Sequence, residues 1–97
     1  MEIMNNNAND KSLLDFLVQH QSHWSFDDLK RAFSYHNSNY PLNSLKTWKY
    51  TICKGVFTQR QMAVHKSSII ELCRIVKKRL DDEKEILEGI KSYQEVN

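Results

Sequence analysis

Apolar residues recur at spacings of three and four along most of this chain, the period of an α-helix with one buried face. The clearest stretch begins at Ser68, and its apolar positions are Ile69, Leu72, Cys73, Val76, Leu80, Leu87 and Ile90. A helix of about 25 residues would be about 37 Å long. That is longer than the rest of so small a domain needs. We therefore expect its far end to project into solvent or to pack on a partner.

Two shorter helices are predicted before it, each from a polar cap and an apolar face. The first begins after Asp10, which is placed as its cap, and runs to about His20. Ser25 is the best start signal in the chain, because its hydroxyl can accept the backbone N–H of Asp28. This second helix is expected to end in the polar turn near residues 35–37.

A third helix is predicted between a proline and a glycine. Pro41 suits its first turn, where the missing N–H would have been unpaired anyway. Gly55 suits a left-handed residue that ends it. The inward positions are Leu45, Trp48 and Ile52.

The segment from Val56 to Val64 has two interpretations. Thr58 and Gln61 have the spacing of a capping box, which favours a short fourth helix. A short strand, as in a wing, is the alternative. We favour the helix because the alternation of apolar and polar residues is poor.

These elements predict an all-α fold, a compact bundle of four to five helices with a helix-turn-helix-like pair. The chain contains two glycines and one proline, too few for the turns of an all-β fold. We divide it into a flexible N-terminal tail, residues 1–9, and a helical core, residues 10–67. Residues 68–97 form the long amphipathic C-terminal helix.

The net charge of +2 conceals a strong segregation along the chain. From Lys30 to Arg79 there are eleven basic residues and a single acid, Glu71, so this stretch carries +10. The segments before and after it carry −4 each. Either the acidic ends neutralise the basic middle within the fold, or the middle forms a basic surface for a phosphate backbone.

A helical wheel places part of this charge on the outward face of the third helix. Amide, hydroxyl and ammonium groups lie there together, as in a helix that enters a DNA major groove. The predicted DNA-binding residues on this helix are Asn43, Lys46, Thr47, Lys49, Tyr50 and Lys54, with Lys49 at the edge of the face. Basic residues elsewhere in the middle stretch complete the set, namely Lys30, Arg31, Arg60 and Lys66.

The run from Ser25 to Phe57 resembles the helix-turn-helix unit of winged-helix regulators. The residues that carry the likeness are Ser25-Phe-Asp-Asp-Leu-Lys-Arg-Ala, then Asn43-Ser-Leu-Lys-Thr-Trp-Lys-Tyr-Thr-Ile, then Lys54-Gly-Val-Phe. The resemblance implies that the second helix supports and the third reads DNA. The chain departs from that family in its longer turn and in the absence of a hairpin pattern after Phe57.

Two functions from different classes follow. The first is a small DNA-binding transcriptional regulator that forms a homodimer through residues 68–93 and binds duplex DNA. The alternative is a protein-binding adaptor or inhibitor, of the sort that mobile elements encode. Such a protein would meet an acidic partner with its basic face and dock through the C-terminal helix.

Other chemistry is not expected. His20 and His23 have a spacing that suits a metal, but no motif completes the ligands. Cys53 and Cys73 lie in helix-like apolar settings and are expected to be reduced core residues. We expect no metal, no cofactor and no enzymatic activity. The chain shows no secretory signal and no apolar run long enough for a membrane helix, which predicts a cytoplasmic protein.

Overall fold

The computed structural model describes residues 9–36 and 40–96, with side chains for 9–35 and 40–89. Within these ranges the chain is helical and has no strand, so the predicted all-α bundle is confirmed. The helices are α1 (Asp10–Gln19), α2 (Phe26–His36), α3 (Leu42–Cys53), α4 (Gln59–Val64) and α5 (Lys66–Val96), with a 3-10 turn at Gln21–His23. The predicted tail, apart from Asn9, lies outside the described residues, as do residues 37–39 of the α2–α3 turn.

The core forms where α1, α2 and α4 pack on the first half of α5, with α3 against α1 and α2. Its fully buried members come from every helix and include Leu13, Leu17, Leu29, Phe33, Ile52, Met62, Ile69, Leu72, Cys73 and Val76. Each large apolar side chain removed from water in this way contributes about 1.5–3 kcal/mol. Burial also raises the pKa of the Cys73 thiol to about 12, so this cysteine is an inert core residue.

The cap of α1 differs from the one that the sequence predicts. Asn9, and not Asp10, precedes the helix, and its Oδ1 accepts the backbone N–H of Ser12 at 2.7 Å. Asp10 is the first helical residue, and its carboxylate lies 3.5 Å from the Lys66 ammonium. The amide oxygen of Asn9 reaches the third helical N–H, while Asp10 is drawn to the start of α5.

Both ends of α3 are set by local chemistry. Pro41 is the N-cap that precedes the helix, whereas the sequence predicts it within the first turn. At the other end Gly55 has a φ of 74°, which confirms the predicted left-handed residue. The backbone N–H groups of Val56 and Gly55 donate to the carbonyls of Thr51 and Ile52 at 2.9 and 3.0 Å, the pattern of a Schellman motif.

Gly55→Ala should lower the free energy of unfolding by about 1 kcal/mol, because an L-residue is strained at this φ. A Cβ at this position would lie 3.8 Å from Val18 Cγ2, an ordinary contact, so the cost is conformational. Gly89→Ala is the matched control: it lies within α5 with nothing within 4 Å of its Cβ position. It should leave stability unchanged or raise it by at most about 1 kcal/mol. Urea unfolding of both variants checks this, and equal effects would contradict it.

The segment after Gly55 is helical, which resolves the choice between helix and wing strand. Thr58 Oγ1 accepts the Gln61 backbone N–H at 3.1 Å, and Gln61 Oε1 accepts the Thr58 N–H at 2.9 Å. This reciprocal capping box starts α4 as predicted. In the part of the chain that the structure describes, α4 therefore stands where a winged-helix protein has its hairpin.

Helix α5 begins at Lys66, two residues before the predicted start at Ser68. It is buried on one face as far as Val76, and Leu80 is half-buried. Every side chain from residue 81 to 89 is exposed, including Leu87 at 60%, and that of Ile90 lies outside the described set. The second half of α5 thus projects from a molecule whose principal extents are 53 × 28 × 23 Å. Among the helices described, none is both long and apolar enough to cross a membrane.

Candidate nucleic-acid interface

An aromatic cluster holds α3 in place from its inner side. The rings of Phe33, Tyr40, Trp48, Phe57 and His65 contact one another, with centroids of Trp48 and His65 4.5 Å apart and those of Phe33 and Trp48 5.3 Å apart. The Tyr40 hydroxyl lies 3.1 Å from His65 Nδ1, within hydrogen-bonding distance. Burial lowers the pKa of His65, so the imidazole is neutral near pH 7 and packs as a ring. Such pairs fix the rotation of α3 about its axis.

The opposite face of α3 is open to solvent, as the wheel predicts. Its exposed side chains, which we call the α3 surface, are Asn43, Lys46, Thr47, Tyr50 and Lys54. They lie within one sector of about 100° and span about 16 Å along the axis. Tyr50 is 62% exposed, an unusual position for so large a ring. The sequence contains no acidic residue between positions 29 and 70, so nothing within α3 or α4 neutralises this surface.

Few of these polar groups are used within the fold. Thr47 Oγ1 donates to the Asn43 carbonyl at 3.0 Å, and the Lys54 ammonium lies 5.7 Å from the centroid of the Tyr50 ring. Among the residues described, the side-chain amide of Asn43 and the ammonium of Lys46 have no hydrogen-bond or ion-pair partner. Both groups are therefore available to a ligand.

The basic middle of the chain divides into a neutralised part and a free part. A carboxylate lies within 4 Å of six of its eleven cations: Arg31, Lys66, Arg74, Lys77, Lys78 and Arg79. Five have no such partner within the described ranges: Lys30, Lys46, Lys49, Lys54 and Arg60. The acids of the chain ends neutralise much of α5 and its surroundings, whereas the cations of α3 and α4 have no carboxylate within 4 Å among the described residues.

Three of the predicted DNA-binding cations are engaged by the protein itself. The Lys49 ammonium lies 4.2 Å from the centroid of the Trp24 ring and donates to Cys53 Sγ at 3.3 Å, so it fastens α3 to the α1–α2 junction. Arg31 lies 4.0 Å from the Asp28 carboxylate, and Lys66 pairs with Asp10. The remaining predicted cations outside α3, Lys30 and Arg60, are exposed.

Sequence reasoning missed a bidentate ion pair that joins α2 to α5. Arg79 donates from Nη1 and Nη2 to the two oxygens of Asp28, at 2.8 and 3.1 Å, and from Nη1 to the His23 carbonyl at 2.7 Å. The Arg79 hydrogen bonds lower the pKa of Asp28 from 3.8 to about 2. The same carboxylate accepts the Ser25 backbone N–H at 2.8 Å, which closes a capping box at the start of α2. This contact fixes α2, and with it α3, on α5.

Comparison with known proteins does not indicate what the α3 surface binds. Comparison with known protein families, with curated proteins and with solved structures finds no match to this chain. The chemistry of the exposed residues is therefore the basis for a functional proposal.

The histidines and cysteines do not converge. His23 Nε2 lies 3.5 Å from Glu83 Oε2, and the rings of His20 and His23 are 5.9 Å apart. His65 belongs to the aromatic cluster. No group of three or more His, Cys, Asp or Glu side chains in the described ranges could hold a metal ion.

Proposed function

We propose that this chain is a small DNA-binding transcriptional regulator that contacts duplex DNA with the α3 surface and acts as a cytoplasmic homodimer joined by α5. The observation that carries the proposal is the α3 surface itself: an exposed helix face without acids, whose Lys46 and Lys54 have no carboxylate partner among the described residues. A solvated helix face ordinarily mixes both signs of charge. A face of one sign, on a helix anchored by its other side, is suited to a polyanion.

The residues of the α3 surface have the donors that base edges and phosphates accept. An α-helix fits the major groove, about 12 Å wide, where Asn43 can pair with an adenine edge and Lys46 with a guanine. Thr47 and Tyr50 can contact bases or phosphates. Lys54, Arg60 and Lys30 then supply sequence-independent phosphate contacts that position the helix. Anchoring by the aromatic cluster reduces the ordering cost of binding.

Binding of the full chain to random-sequence duplex should weaken steeply with salt, because each phosphate contact releases counterions. With about three phosphate contacts in each chain, the slope of log K against log salt should be about −2.7 per chain. Fluorescence anisotropy at about 50 and 200 mM salt measures it. Absence of binding at the lower salt, or binding indifferent to salt, would refute the proposal.

A protein-binding adaptor or inhibitor is the second candidate. The same unpaired cations complement an acidic protein surface, and Ile86 and Leu87 of α5 are 62% and 60% exposed, as a docking helix requires. Truncation after Leu80 separates the two functions. A DNA-binding regulator keeps weaker, monomeric duplex binding, whereas an adaptor binds no duplex in either form and loses its protein partner.

A further inference from the structure

Helix α5 carries a stripe of side chains along an open groove beside Arg31 of α2, from the half-buried Ile75 into the projecting part of the helix. The stripe consists of Ile75, Lys78, Arg79, Asp82, Glu83 and Ile86, at successive spacings of three, one, three, one and three. At about 100° per residue these six positions fall within an arc of about 140°, with Lys78 and Glu83 at its two edges. Ile86 is 62% exposed, and Lys78 and Glu83 are largely exposed. An apolar residue so placed beside a groove indicates a binding surface.

The order of chemistry along this stripe is its informative feature. From the N-terminal end it runs apolar, basic, basic, acidic, acidic, apolar. When two copies of the stripe are paired antiparallel, Ile75 of one copy faces Ile86 of the other, Lys78 faces Glu83, and Arg79 faces Asp82. All three pairings share one centre, between Leu80 and Asp81. A surface that complements itself about a point is what a two-fold symmetric interface requires.

We propose that the occupant of this groove is α5 of a second copy of the chain, antiparallel to the first and related to it by a two-fold axis between Leu80 and Asp81. This inference rests on the dimeric part of the proposed function and adds the face, direction and register of the interface. Each axis-related pair occurs twice, so two Ile75–Ile86 contacts flank the charged centre.

Charge excludes the parallel arrangement in register. Side by side in the same direction, Lys78 would face Lys78 of the partner subunit, and Glu83 would face Glu83 of the partner subunit. Like charges directly opposed are destabilising, whereas the antiparallel register places opposite signs together at every charged position of the stripe.

Contacts within the chain leave Lys78 and Glu83 free to pair with the partner subunit. The Lys78 ammonium lies 3.2 Å from the Asp82 carboxylate, and the two side chains are 77% and 55% exposed. So exposed an ion pair is weak, and Lys78 can leave it for a carboxylate of the partner subunit. Glu83 lies 3.5 Å from His23 and is 55% exposed. Arg79 keeps its hydrogen bonds to Asp28, so it attracts Asp82 of the partner subunit only at long range. The pair between Lys78 and Glu83 of the partner subunit therefore carries the electrostatic part of the interface.

Reversal of one charge at a time tests the pairing directly. Lys78→Glu alone, or Glu83→Lys alone, creates two like-charge contacts per dimer and should weaken dimerisation about tenfold or more. The double variant K78E/E83K restores opposite signs in each pair and should recover most of the loss. Sedimentation of the full chain across protein concentration, without DNA, measures this. Residues 78 and 83 lie at the two edges of the stripe and five positions apart, which is not the spacing of an ion pair within a helix, so recovery cannot arise within one chain.

Cross-linking tests the direction of the two helices. Single Lys78→Cys and Glu83→Cys chains, both with Cys53→Ser, are mixed and treated with a short bis-maleimide. The antiparallel dimer yields the mixed product in preference to either homotypic one, whereas a parallel dimer yields the homotypic products. Cys73 is buried and does not react. A chain that stays monomeric at all concentrations, a double variant no better than the single ones, or homotypic products would each overturn the proposed interface.

These outcomes are independent of DNA. A monomer that still binds duplex with salt dependence refutes only the interface. A dimer that passes both tests and binds no duplex refutes only the DNA-binding part of the proposed function.

Discussion

Asp28→Asn should lower the free energy of unfolding by about 3 kcal/mol at neutral pH. The side chain is 5% exposed, accepts two hydrogen bonds from Arg79 and closes the capping box with Ser25. Removing one partner of a buried ion pair typically costs about 3–5 kcal/mol. We expect the lower end because the Arg79 side chain is 42% exposed, and water continues to solvate the guanidinium after the substitution.

Acid should remove the same contribution from the wild-type chain. The folded-state pKa of Asp28 is about 2, below its ordinary 3.8, so the unfolded state takes up a proton first as pH falls. The stabilisation is complete above about pH 4 and is lost as pH falls through about 2, a change of about 2 kcal/mol from this residue. Asparagine does not titrate, so the free energy of unfolding of Asp28→Asn should fall less steeply as the pH is lowered.

Asp27→Asn is the matched control, because Asp27 lies one position earlier in α2 and is exposed. It removes the same charge from the same helix start and should cost less than about 1 kcal/mol. Urea unfolding at neutral pH and at several acid pH values measures all three proteins. Equal effects of the two substitutions would show that the helix dipole, and not the contact with Arg79, gives Asp28 its importance.

Sequence reasoning succeeded where a local signal determines the structure. The capping box at Thr58 and Gln61 is complete within four residues, and the left-handed Gly55 follows from the need to end α3. The stripe of Leu45, Trp48 and Ile52 fixes which side of α3 is buried. The outward face, and hence the α3 surface, follows from the same periodicity.

It failed where partners are distant in sequence. Arg79 and Asp28 are 51 positions apart, and nothing near either residue predicts the other. Glu83 lies one turn along α5 at the i,i+4 spacing of a helical ion pair, but it is exposed, and the Arg79 guanidinium binds the buried carboxylate of Asp28 instead. His65 similarly had no local signal for its place among the rings of Trp48, Phe33 and Tyr40.

The candidate site shows the same division. The wheel separated the inner and outer faces of α3 correctly, but it placed Lys49 at the edge without indicating where the ammonium goes. Trp24 lies in another element, and its ring face draws that ammonium inward. Tertiary contacts thus reduce the ten predicted DNA-binding residues to a smaller set that the fold does not occupy. The prediction with the largest functional effect concerns two members of that set.

Reversing two charges on the α3 surface, Lys46→Glu with Lys54→Glu, should reduce duplex affinity about 100-fold at low salt. Each contact of a basic side chain with DNA contributes about 1–3 kcal/mol, and about 1.4 kcal/mol corresponds to a factor of ten. Loss of two contacts therefore gives two factors of ten, and repulsion of the new carboxylates adds to it. The salt slope should fall by about 0.9, because Lys54 is the one of the two residues that is proposed to contact a phosphate.

Lys11→Glu with Lys84→Glu is the control that separates local contact from overall charge. Both double variants change the net charge from +2 to −2, because each reversal removes two units. Lys11 and Lys84 are exposed on α1 and on the projecting part of α5, away from α3. Helical circular dichroism should be unchanged in both, since all four side chains are on the surface. If binding depends on the α3 surface, the control keeps its affinity within about threefold, the loss expected from weaker electrostatic steering alone. Equal losses in the two variants would show that the chain attracts DNA through its net charge, and the α3 surface would then have no specific role.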